Sequence, residues 1–263
     1  MKNLLTVSYA ILGILLFICV LVFLCNTPST EWVSSFSGNL ISELLGILLT
    51  VFLIDKVIEK NQENERKKYK EVAFRQLRGA IYKHLMLLAN IFKASALTLP
   101  EKRKFENVRE FFDDKFIEQI AYLDFSALAP VTPDRQWIDY LSEEFLNFKN
   151  SLGKTVEKYS MYLDSESLDL MEEVINSSSM AFILQIPNAY ALIKREGNQI
   201  RPDFFGQSTV GDTTFRNYIN LFVDLVEVHN RYCAEDKKIF IEDYIWRDNI
   251  APKLGDSRYI NSR

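Results

Sequence analysis

Residues 4–25 read LLTVSYAILGILLFICVLVFLC, 22 positions without one charged side chain. At 1.5 Å of rise per residue such a run covers a hydrocarbon core of roughly 30 Å, so its length predicts a membrane-spanning helix. Lys2 ahead of an apolar run also suits a secretory signal. The run is longer than the roughly 7 to 15 residues of a signal's apolar region, however, and no A-x-A cleavage pattern follows it. Cys25 follows Leu24 where a lipoprotein signal would carry a small residue. The expectation is a retained anchor.

A second apolar stretch, LISELLGILLTVFLI, occupies residues 40–54 and continues through Val57 and Ile58. Its uncharged core, Leu44 to Ile54, is 11 residues, which by itself suits a buried or interfacial helix. With Glu43 and Asp55 taken as near-interface residues it extends to about 20 and is expected to span. The segment between, NTPSTEWVSSFSGN at 26–39, has no Lys or Arg, whereas Lys56, Lys60, Arg66, Lys67, Lys68, Lys70, Arg75 and Arg78 crowd the far side. The positive-inside rule then puts both termini in the cytoplasm. The expected layout is a hairpin over 1–58, with spans at about 4–25 and 39–58 and an external loop at 26–38. Trp32 and Phe36 in that loop suit an aromatic interface belt.

Gly38, Ser42, Gly46 and Thr50 recur every fourth residue and fall on one helical stripe. Small residues on a stripe let membrane helices approach closely, whether the neighbour is the first span or a second copy of the chain. Glu43 lies beside this stripe. A carboxylate in hydrocarbon costs at least a few kcal/mol, so Glu43 is either a headgroup-layer residue or a pore or partner contact. Ser42, Glu43, Gly46 and Thr50 are therefore the candidate packing or pore residues.

From Asp55 to Pro100 there is no proline, and Gly79 is the one glycine. A charged stalk continuing into a packed helix is expected over 59–100. Between Asp55 and Lys70 stand six basic and four acidic residues, the ordinary collar that fixes topology and meets anionic headgroups. Leu77, Ile81, Leu85, Leu88 and Phe92 then form an apolar seam. Residues 101–263 are expected to fold as a cytoplasmic helical domain, with helices near 101–122, 133–162, 165–185, 187–195 and 213–245, so the fold class is all-α. Asp164 or Ser165, and Gly211 to Thr214, carry N-cap chemistry. Phe215, Ile219, Phe222, Val223 and Val226, with His229 a turn on, form a stripe to bury. The segment 123–134, with two prolines, reads as a fixed turn. Residues 195–212 read as a recognition loop, and the tail after Pro252 as loose.

The net charge of −4 gives no face-wide basic excess and so no indication of direct nucleic-acid binding. Two histidines and cysteines at 19, 25 and 233 supply neither a zinc site nor a disulfide framework, and no cofactor motif occurs. Adjacent carboxylates such as Asp113 and Asp114, or Glu172 and Glu173, point in different directions on a helix and suit solvated faces. Arg78 and His84, in RGAIYKH, have an R-x5-H spacing that resembles the R-x4-6-H motif of the HEPN ribonucleases. That resemblance makes the two residues candidate catalytic groups; their place beside the apolar seam makes His84 a packing histidine.

Taken together, the hairpin, the ISELLGILLTVFLIDKVIEK span of residues 41–60 running into a charged stalk, and a helical body carrying YLDFSALAPVTP at 122–133 resemble the two-span membrane effectors of prokaryotic antiviral systems, of the retron type. The resemblance implies a multi-pass protein of the bacterial inner membrane, held inactive by a protein or ribonucleoprotein partner. Once released it would self-associate through its second span, damage the bilayer and halt the infected cell, an abortive infection. The alternative is a non-enzymatic membrane anchor or sensory adaptor whose helical domain binds a partner; a third reading is an anchored HEPN-like ribonuclease.

Overall fold

Thr30 followed by Glu31 is a helix-start signal, and nothing in the next six turns of sequence breaks the helix. In the computed structural model the result is α1, Glu31–Ser95, 65 residues long. The described residues are 31–197 and 213–257, together with 9, 13–18, 20, 21 and 24. The first expected span therefore falls largely outside them, as do most of the expected recognition loop and the cap residues 211–212. Residues 13–18, 20, 21 and 24 are helical. The chain divides into two compact units, Met1–Arg66 and Lys67–Arg263.

In the first unit, α1 begins within the segment read as an external loop, so that loop is at least partly helical. Among the described residues no helix is long and apolar enough to cross a membrane. The uncharged run of α1, 44–54, rises only about 16 Å against roughly 30 Å of hydrocarbon. Leu45, Ile47, Leu49, Phe52, Leu53, Ile54, Val57 and Ile58 are nevertheless 43% to 64% exposed.

In the second unit the seam Leu77, Ile81, Leu85, Leu88 and Phe92 is buried, as its spacing requires. Around it stand α2 (Asp114–Ile120), α3 (Trp137–Tyr159), α4 (Ser165–Asn176), α5 (Ser178–Arg195) and α6 (Thr213–Tyr232). The stripe Phe215, Ile219, Phe222, Val223, Val226 and His229 is buried whole. Helix α3 packs on α4 and α5, and α6 on the same two. The only sheet among the described residues is a two-residue pair, β1 (Leu128–Ala129) against β2 (Arg135–Gln136), antiparallel. It lies where a proline turn was expected.

Polar side chains move several boundaries from where apolar spacing put them. The helix expected at 101–122 is a single 3-10 turn, Val108–Glu110, followed by the short α2. Asn107 accepts from the Arg109 N–H at 3.0 Å and Asp113 from the Phe116 N–H at 2.9 Å, two caps that force two starts. The break expected before Pro187 is instead at Ser177, whose hydroxyl accepts the Met180 N–H, and Pro187 sits inside α5. Asp164 caps α4 through the Ser167 N–H at 2.9 Å. Helix α6 stops at Tyr232, short of 245, because Asn230 turns the chain: its amide donates to Ile239 O at 2.8 Å and accepts the Ile239 N–H at 2.7 Å.

The tail after Pro252 is pinned as far as Ser257. The buried ammonium of Lys93 donates to the carbonyls of Ile245 (3.1 Å), Arg247 (2.9 Å) and Ile250 (2.7 Å). Gly255 N–H returns to Lys93 O, and Ser257 N–H to Ala94 O. Ser257 is itself buried against the indole N–H of Trp137. A lysine inside a helical core is thus satisfied by three backbone carbonyls of the segment 245–250.

Candidate functional site

Four residues spaced along one face of a helix share a surface whatever surrounds it, and the structure shows that surface. Glu43, Gly46, Ile47, Thr50 and Val51 line an open, shallow groove along α1. Ser42, Glu43, Gly46 and Thr50 are all exposed. The Thr50 hydroxyl donates to Gly46 O at 2.8 Å, so it is spent within the helix. A methyl group at Gly46 would meet no heavy atom within 4 Å among the described residues. The close approach that small residues permit is therefore not used by anything described, and the groove is open to another body.

The basic collar is not uniform. Lys70, counted in it from sequence, is buried: its ammonium pairs with Asp164 and lies 3.5 Å from the centroid of the Tyr232 ring. Burial alone would raise the Asp164 carboxyl, but Lys70 and the Ser167 N–H outweigh it and hold the group at about 2. Arg78 is also engaged, donating from Nε to Lys237 O at 2.8 Å. The exposed basic side chains of the collar are Lys56, which pairs with Glu59, and Lys60, Arg66, Lys67 and Lys68, with Arg75 two turns further on.

Arg78 and His84 do not form a catalytic pair. Six residues apart on one helix, they project about 120° apart around its axis. His84 is 2% exposed and enclosed by rings: Phe148 stacks on it at 4.1 Å between centroids, with Phe145 at 4.7 Å and Phe222 at 5.0 Å. The Tyr218 hydroxyl is 2.6 Å from Nε2, and Nδ1 is buried without a partner. Burial pushes the imidazole down to about 3, so it is neutral at physiological pH. A neutral, buried ring about 120° from Arg78 around the helix matches the packing reading of His84.

Sequence reasoning missed one pairing. Cys233 Sγ lies 3.3 Å from His229 Nε2, one turn away on α6, while His229 Nδ1 is 3.2 Å from Asn230 Oδ1. The i, i+4 spacing was visible, but nothing in it distinguished a contact from a coincidence. Burial raises the thiol and lowers the imidazole, so the pair is a thiol beside a neutral ring, without an activated nucleophile. Among the described residues no group of three or more His, Cys, Asp or Glu side chains is placed to hold a metal ion.

Comparison with protein-family models, with curated proteins and with solved structures gives no match to this chain.

Proposed function

We propose that the chain is a membrane-anchored effector of abortive-infection type, whose N-terminal unit enters the bacterial inner membrane and perturbs it when a controlling partner releases it. The observation that carries the reading is the bare apolar circumference of α1. At 100° per residue, Leu45, Ile47, Leu49, Phe52, Leu53, Ile54, Val57 and Ile58 are spread over about two thirds of the circumference, and all are exposed; Leu44, Leu48 and Val51, half-buried, take up the remaining arc. A groove on one protein partner covers one face of such a helix; hydrocarbon covers every face.

In this reading residues 4–25 form the anchor, and residues 39–58, about 30 Å as a helix, lie alongside as the second arm of a hairpin. Glu43 then falls about five residues inside the membrane end. Its carboxylate needs water or a partner there, and self-association along the open Gly46 stripe supplies both. The exposed lysines and Arg66 beyond Lys56 sit in the anionic cytoplasmic headgroup layer.

The test is induced expression in bacteria, following membrane potential and growth for the wild type, Glu43→Ala and Gly46→Leu at matched membrane levels. Rapid depolarisation by the wild type alone is expected. Depolarisation by all three proteins would refute the role of the Glu43–Gly46 groove. A normal potential with all three in the membrane fraction would favour the anchor or adaptor reading instead.

A further inference from the structure

The second unit contains a cleft that the membrane reading does not use. Between the end of α1 and the start of α2 the chain leaves a space of about 360 Å³, within the range of small-molecule sites. Its floor is the side chains of Phe92, Phe105 and Phe111, with Leu99 and Pro100 on one wall. Trp246 backs this floor, 6.0 Å from Phe92 and 5.7 Å from Phe111 between centroids, so the floor is rigidly packed.

Five charged groups line the cleft, and they belong to two classes. Lys102 is paired with Glu110, and Asp113 is committed to capping α2. Glu101 and Lys115 also line the cleft, and among the described residues neither has a hydrogen-bond or ion-pair partner. Opposite in sign, they form no ion pair with each other. The cleft therefore presents an aromatic floor, one uncommitted carboxylate and one uncommitted ammonium.

We infer that this cleft binds a small zwitterionic aromatic molecule, of the class of a free aromatic amino acid. Its ring lies on the phenylalanine floor, its ammonium meets Glu101 and its carboxylate meets Lys115. Offset-stacked and edge-on ring contacts favour a flat aromatic body over a branched aliphatic one. Charge-assisted hydrogen bonds to its ammonium and carboxylate, both carried by one carbon, fix its direction against the ring. A purely anionic ring would meet Glu101 with nothing to offset it, and a purely cationic ring would leave Lys115 unused.

The experiment is calorimetric titration of the full chain in lipid nanodiscs with L-phenylalanine, phenethylamine, 3-phenylpropionate and L-alanine, using empty nanodiscs to subtract partitioning into lipid. Saturable binding of L-phenylalanine is expected in the millimolar range or tighter, with each truncated analogue about tenfold weaker. Lys115→Met should abolish the advantage of L-phenylalanine over phenethylamine, and Glu101→Gln its advantage over 3-phenylpropionate. Both residues are exposed, so neither variant threatens the fold. Absence of saturable binding by L-phenylalanine would overturn the assignment, as would discrimination among the analogues that both variants leave unchanged. The membrane potential of expressing cells is a separate readout, so failure here leaves the effector reading standing.

Discussion

Acidification should destabilise the second unit through His84, by an amount that follows from its box of rings. The imidazole is neutral in the folded protein down to about pH 3, while its ordinary value in the unfolded chain is 6.5. A base whose folded value is depressed costs no stability above the unfolded value, and the loss grows as pH falls from 6.5 toward 3, because only the unfolded chain takes up the proton. At about pH 5 the unfolded chain has gained roughly 1.5 units' worth of protonation, or about 2 kcal/mol at 1.36 kcal/mol per unit. That figure needs only a folded value well below 5.

His229, also depressed by burial, adds a loss of the same sign, so the His84 share must be taken by difference. The right comparison is His84→Phe with Tyr218→Phe, which removes both polar atoms of the 2.6 Å contact and spares the cost of a hydroxyl left alone. Denaturant unfolding followed by tryptophan fluorescence, for wild type and double variant at about pH 7.5 and 5, reads the effect. The wild type should lose about 2 kcal/mol more than the variant. Equal losses in the two proteins would show that the ring is protonated in place or hydrated, and the argument from burial would fail.

Three further outcomes are expected. Lys93→Met takes the ammonium from three carbonyls, of which Arg247 O keeps the Ile250 N–H, and should cost about 2 kcal/mol or more; hydrogen exchange at Gly255 and Ser257 should accelerate, and full protection there would contradict the clamp. Asp164→Ala removes a helix cap and strands the buried Lys70, for a loss of about 3 kcal/mol, whereas Lys70→Met should cost clearly less, as thermal melts can show; equal losses would put the cost in the Lys70–Asp164 pair and leave nothing for the cap or the stranded charge. Because Asp164 is held at about 2, its contribution is fully present above the unfolded carboxylate value near 4 and disappears between about pH 4 and 2, so the acid limb of wild-type unfolding should flatten in Asp164→Asn.

What the sequence conveyed depended on whether a pattern repeated. The seam from Leu77 to Phe92 and the stripe from Phe215 to Val226 each repeat several times at helical spacing, and each is buried as read. Boundaries set by one side chain were less legible. Asn107, Asp113 and Ser177 each end or start a helix by accepting a single N–H, and Asn, Asp and Ser occur as often on solvated faces. Lys70 and Lys93 were opaque for the same reason. A lysine reads as surface until its acceptor is known, and those acceptors lie 94 and more than 150 residues away in sequence. The R-x5-H spacing misled because spacing along one helix says which residues share a face, and six residues do not.

The same rule explains why the ends of α1 differ so sharply. After Lys70 its apolar residues keep to one side and find a core; before Asp55 they take up most of the circumference, leaving only the narrow strip of Ser42, Glu43, Gly46 and Thr50. Among the described residues, the buried core of the second unit is drawn from Ala73 onward. On the reading proposed above, hydrocarbon is the solvent that this apolar rod meets. The small residues Gly46 and Thr50 and the carboxylate of Glu43 on that rod then become informative: in water they would be unremarkable, while in hydrocarbon a carboxylate beside a groove that admits another helix is a reason to assemble.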